Sequence, residues 1–69
     1  MIRLKVKEVA EQKGMSQRKL SKLSGVDIKN IQRIYRYPMS IVNTETLDKL
    51  AKVLDVDVRE LIESVPDDK

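Results

Sequence analysis

The chain has 69 residues, with 14 Lys and Arg against 11 Asp and Glu, and no Cys, His, Trp or Phe. A chain this short buries only roughly 60% of the surface its unfolded form exposes, so a single small domain is expected. Without Cys or His there is neither a disulfide framework nor a zinc site, and the usual nucleophile and general base of compact enzymes are missing. No enzyme, metal or cofactor is therefore expected. Hydrophobic residues make up 41% of the chain, enough for a core of packed aliphatic helices.

The formal charge of +3 hides a strong asymmetry. Residues 1–37 hold ten bases and three acids, for +7, whereas residues 38–69 hold four bases and eight acids, for −4. Such a split suggests one half that faces a polyanion and one that faces elsewhere. Charge interrupts the apolar residues of Met1–Ala10, so no targeting segment is expected there. Nor is there an apolar run of the length a membrane span needs. A cytoplasmic, nucleoid-associated protein is the resulting expectation.

Five short helices are predicted, in an all-α fold. The first covers Leu4–Lys13, with Val6, Val9, Ala10 and Lys13 at the spacing of one buried stripe and Gly14 as its stop. The second covers Gln17–Ser24, with Ser16 as N-cap, Leu20 and Leu23 inward, and Gly25 as the left-handed terminator. Asp27 caps a third, which reaches Arg36 because Pro38 disfavours helical backbone at Tyr37. After a loop to Asn43, Thr44 is expected to cap the fourth, Glu45–Leu54, with Leu47, Leu50, Ala51 and Leu54 inward. The fifth is expected at Val58–Ser64, before Pro66 and a polar tail, so the domain spans 1–65 and the tail 66–69.

Function is concentrated between Ser16 and Arg36. Two short helices joined by Ser24-Gly25-Val26-Asp27 match a helix-turn-helix, in which Ser21 is small at the close approach and Val26 plugs the turn. At about 100° per residue from Ile28, the side chains of Gln32, Arg36, Lys29 and Arg33 spread over an arc from about 40° to about 140°. Ile31 and Ile34 occupy the opposite side, and Tyr35 falls at the edge of the core. Lys and Arg can reach guanine, Gln can pair with adenine, and an aliphatic residue can meet the thymine methyl. Double-stranded DNA is the expected partner.

These residues resemble the Cro and repressor-type helix-turn-helix regulators, also called the XRE family or lambda repressor-like domains. The resemblance rests on Gly14-Met15-Ser16-Gln17, Leu20, Leu23-Ser24-Gly25-Val26, Ile31 and Ile34. It continues through Thr46-Leu47, Leu50-Ala51 and Val53-Leu54 to Leu61, covering roughly 4–62. It implies a compact five-helix domain whose third helix lies in the major groove, usually as a dimer on two half-sites. By match to family positions, Ile28, Lys29, Gln32 and Arg33 would read bases, and Gln17 would hold a phosphate. Arg18, Asn30, Arg36 and Asn43 would contact the DNA backbone.

Departures from the family pattern are specific. Ala10 and Tyr35 stand where an Arg–Glu pair is common, so an aromatic-on-methyl contact is expected instead. Tyr37-Pro38 replaces the Gly that commonly ends the third helix, and Asp27 takes a cap often given to Ser or Thr. Ile62 and Val65, in the acidic last third, are the expected contacts of a weak homodimer through the fifth helix. A protein-interaction module, with that acidic half holding a partner protein, is the alternative. Neither membrane binding nor a small-molecule ligand is expected. Single-stranded nucleic acid is disfavoured because only Tyr35 and Tyr37 could stack on bases.

Overall fold

A computed structural model describes residues 1–66. Its order is β1 (Ile2–Leu4), α1 (Val6–Gln12), α2 (Gln17–Ser24), α3 (Ile28–Arg36), α4 (Thr44–Leu54), a 3-10 turn (Val58–Leu61) and β2 (Ile62–Ser64). Twelve apolar side chains form one buried cluster drawn from β1, the four helices, the turn at Val26 and the 3-10 turn. Leu20, Ile31, Leu50 and Leu61 are fully enclosed in it. No charged or polar residue is buried among the described residues. The stability of so small a domain therefore rests on aliphatic burial, at roughly 1.5–3 kcal/mol for each large side chain fully withdrawn from water.

The expectation of a purely helical, five-helix domain is corrected at both ends of the chain. β1 and β2 pair antiparallel, with Ile2 opposite Ser64, Arg3 opposite Glu63 and Leu4 opposite Ile62. The first helix consequently begins at Val6 rather than Leu4, and Lys13 is exposed rather than part of its buried stripe. Only Val58–Leu61 of the anticipated fifth helix is helical, as a 3-10 turn capped by the Asp57 carboxylate. The chain then extends, because Ile62–Ser64 finds backbone partners in a strand about sixty residues earlier. Arg3 fastens the arrangement by donating across the sheet to Glu63 (3.1 Å) and also to Glu8 on α1.

Elsewhere the packing follows local chemistry, with three further corrections. Leu23 is 55% exposed instead of inward. The N-cap of α4 is Asn43, not Thr44: its Oδ1 accepts from the Thr46 N–H (2.8 Å). The helix expected to carry Ile62 and Val65 is absent from this part of the chain. Ile62 lies in β2 and packs against the core, while the Val65 backbone bonds to Met1. The predicted tail beyond Pro66 lies outside the described residues.

Candidate nucleic-acid interface

The interface is built on a tightly specified turn. The Ser16 hydroxyl accepts from the Lys19 N–H (3.2 Å) and so starts α2. Gly25 ends it at φ +77°, a left-handed conformation in which glycine pays no steric penalty. From inside the pair, the Ser21 hydroxyl donates to the Val26 carbonyl (2.6 Å), and Ser24 Oγ accepts from the Val26 N–H (3.1 Å). Both polar backbone groups of Val26 are thus satisfied while its side chain is buried at 6% exposure. The Asp27 carboxylate then accepts from the Lys29 N–H (2.9 Å), beginning α3 where the helix dipole favours an anion.

With Ile31 and Ile34 pinned in the core, the opposite side of α3 must face solvent. An open concavity of about 640 Å³ runs along that side, lined by Lys7, Gln17, Lys29, Gln32, Arg33, Tyr35, Arg36 and Tyr37. Five of the nine residues expected at the interface are gathered there: Gln17, Lys29, Gln32, Arg33 and Arg36. Asn30 and Asn43 line an adjoining cleft of about 420 Å³ with Ile41 and Thr46, and Arg33 borders both. Arg18, exposed on α2, and Ile28, half-buried at the first turn of α3, line neither. Asn43 already spends its Oδ1 as a cap, which leaves its amide N–H groups for any further partner.

The electrostatics of this surface are one-sided. No carboxylate among the described residues lines the larger concavity. Among the described residues, none of Lys7, Arg18, Lys29, Arg33 and Arg36 has a carboxylate within ion-pair distance. Arg33 and Arg36 fall in the last turn of α3, where cations complement the negative end of the helix dipole. Tyr35 packs against the core cluster that includes Ala10, and its hydroxyl is enclosed with no hydrogen-bond partner among the described residues. Burial, with a smaller contribution from the Glu11 carboxylate, raises its pKa above the ordinary 10.0. Tyr35 thus lies at the edge of the core, as its place on the helix anticipates.

A Cro/C1-type HTH DNA-binding domain is the family whose model matches, over residues 5–67. The chain belongs to this family. Comparison with curated proteins and with solved structures gives no match. Membership makes this a non-enzymatic, DNA-binding transcription regulator at the level of the family. Tyr37 is a residue the sequence leaves open between stacking on the loop and touching a phosphate, and Lys7 is one it does not point to. Lys7 lies on α1, outside the motif, and only its share in the basic half of the chain hinted at a role. Among the described residues no helix is long and apolar enough to cross a membrane.

Proposed function

We propose that this Cro/C1-type domain binds double-stranded DNA sequence-specifically, with α3 in the major groove, and represses transcription by occupying its site. Lys29, Gln32 and Arg33 read base edges through hydrogen bonds, and Ile28 at the start of the helix meets a thymine methyl. Gln17, Arg18, Asn30, Arg36 and Asn43 contact the sugar-phosphate backbone and set the register. The observation that carries this reading is the carboxylate-free concavity beside α3, where Lys29, Gln32 and Arg33 converge with Gln17 and Arg36. The working compartment on this reading is the cytoplasm, at the nucleoid.

One helix of nine residues spans too few base pairs to specify a site by itself. We therefore propose a weak homodimer that assembles on two inverted half-sites. Its surface is the apolar hollow lined by Met1, Ile2, Met39, Ile41, Val42 and Ile62, which opens beside the Asn30–Asn43 cleft. Ile41 is 92% exposed at its rim. Ile62 keeps a part on this reading, as the floor of the hollow, and Val65 adjoins it through its backbone bonds to Met1.

Selection from random duplex DNA at two salt concentrations tests both levels. An enriched inverted repeat with half-sites about one helical turn apart, bound far more weakly at high salt, is the expected outcome. Arg33→Ala should then cost about 1–3 kcal/mol and relax preference at one base pair, whereas Gln17→Ala should weaken all sequences alike. No enrichment would sink the DNA reading. Enrichment of a single half-site at one-to-one stoichiometry would sink the homodimer and favour another protein as occupant of the hollow.

A further inference from the structure

We infer that α1 takes part in gripping the duplex: Lys7, with Tyr37 beside it, seats a backbone phosphate next to the C-terminal end of α3. This rests on the DNA reading above and adds to it a contact from outside the helix-turn-helix.

The backbone brings the two residues together. The Leu4 N–H donates to the Pro38 carbonyl (2.7 Å), tying the chain just before α1 to the chain just after α3. On one side of that bond Lys7 projects from the first turn of α1. On the other, the Tyr37 N–H closes α3 by donating to the Arg33 carbonyl (2.8 Å), and its side chain is left 59% exposed. Both side chains line the concavity that holds Gln17, Lys29, Arg33 and Arg36. An exposed tyrosine at this place adds little to the core, and its phenol is a neutral hydrogen-bond donor.

Charge supplies the rest of the argument. The C-terminal end of a helix carries partial negative charge, so a phosphate can approach the end of α3 only if cations outweigh that field. Arg36 gives one from within the helix, and Lys7 gives a second from a separate element. The acids of α1 cancel it only in part: Glu8 is held by Arg3, and Lys7 exerts a weaker attraction on its carboxylate. Glu11, one turn beyond Lys7, lines a separate cleft with Arg3, Glu8, Tyr35 and Pro38. Lys7 and Tyr35 border both hollows, and the two carboxylates line only the smaller one.

The test uses the full chain and a duplex recovered by selection. Lys7→Ala should weaken binding about tenfold and make the slope of log K against log salt shallower by about one phosphate, with base preference unchanged. Ethylation interference should vanish at one phosphate flanking the half-site, and Lys7→Arg should restore the slope. Tyr37→Phe should cost roughly threefold with no change in slope, because it removes a neutral donor. Circular dichroism melts of all three variants should match the parent, since both side chains are exposed. Lys7→Ala with parental affinity, slope and interference pattern would overturn the inference while leaving the DNA reading intact. If the parent enriches no duplex, it is the DNA reading that fails.

Discussion

Along α3, the cations Lys29, Arg33 and Arg36 stand without carboxylate partners among the described residues. On α4, by contrast, Lys52 lies 3.2 Å from Asp48, Lys49 lies 4.0 Å from Glu45, and past the helix Arg59 pairs with Asp57. Both regions are helical, capped and packed on the same core. They differ in whether their charge is already neutralised within the chain. Among the described residues no charged side chain is buried, so this distribution costs the core nothing. Unpaired cations gathered on one side mark a surface that finds its counter-charge in a partner, whereas i,i+4 pairs mark a surface that is finished.

The largest effect should come from breaking what the two regions share. Ile31 is fully enclosed on the underside of the recognition helix. Ile31→Ala should cost about 2–5 kcal/mol, much or all of the stability of so small a domain. A thermal melt should show unfolding near or below physiological temperature, with DNA binding lost as a consequence. Lys29→Ala, on the opposite side of the same helix, should leave the melt unchanged. A stable, DNA-binding Ile31→Ala protein would mean that the positioning of α3 does not depend on the core.

Gly25→Ala is a smaller and sharper probe. A Cβ at Gly25 would meet nothing within 4 Å, so no clash contributes. The cost is the left-handed backbone alone, about 1–2 kcal/mol, and it should appear as a lower melting temperature with the selected site unchanged. The α4 end offers a built-in comparison, since Asp55 already holds φ +57° there without being glycine. Asp55→Gly should therefore raise the melting temperature slightly. If Gly25→Ala left the melt untouched, the turn would not hold the strict geometry the motif demands.

Much of the helix-turn-helix was legible because its signals are local. Ser16, Gly25, Val26 and Asp27 each act within a few residues, through a cap, a left-handed turn or a plug. The sheet was not legible for the opposite reason. Ile2, Leu4 and Val6 alternate with Arg3 and Lys5, a strand-like pattern, but three residues carry little weight until a partner across the whole chain is known. The spacing of Val58, Leu61, Ile62 and Val65 suits a helix equally well, and the tertiary pairing of Ile62–Ser64 decided against it. Leu23 sits three residues after Leu20 yet remains exposed, because a domain this small cannot cover every apolar position. Lys7 could not be placed at the interface from sequence, since its position depends on how α1 sits against the end of α3.

The smallest expected effect concerns the ion pairs that hold the sheet to α1. The hydrogen bond from Arg3 lowers the Glu8 carboxyl below its ordinary 4.5, against the opposing effect of partial burial. A carboxyl depressed in the folded state contributes stability that is fully present above the unfolded value and is lost as pH falls through the folded one. The Asp57 carboxyl, lowered below 3.8 by the Arg59 backbone N–H and then its guanidinium, acts in the same sense at the 3-10 turn. The melting temperature should therefore be flat from neutral pH down to about 5 and fall below it. Glu8→Gln should lower the neutral-pH melt slightly and make the acid fall shallower. The change should be a few degrees at most, because both partners are solvent-accessible and water screens the pair. An acid profile identical in the parent and Glu8→Gln would show that the Arg3–Glu8 pair adds nothing to the attachment of α1, with the Arg3–Glu63 pair and the backbone ladder left to hold β1.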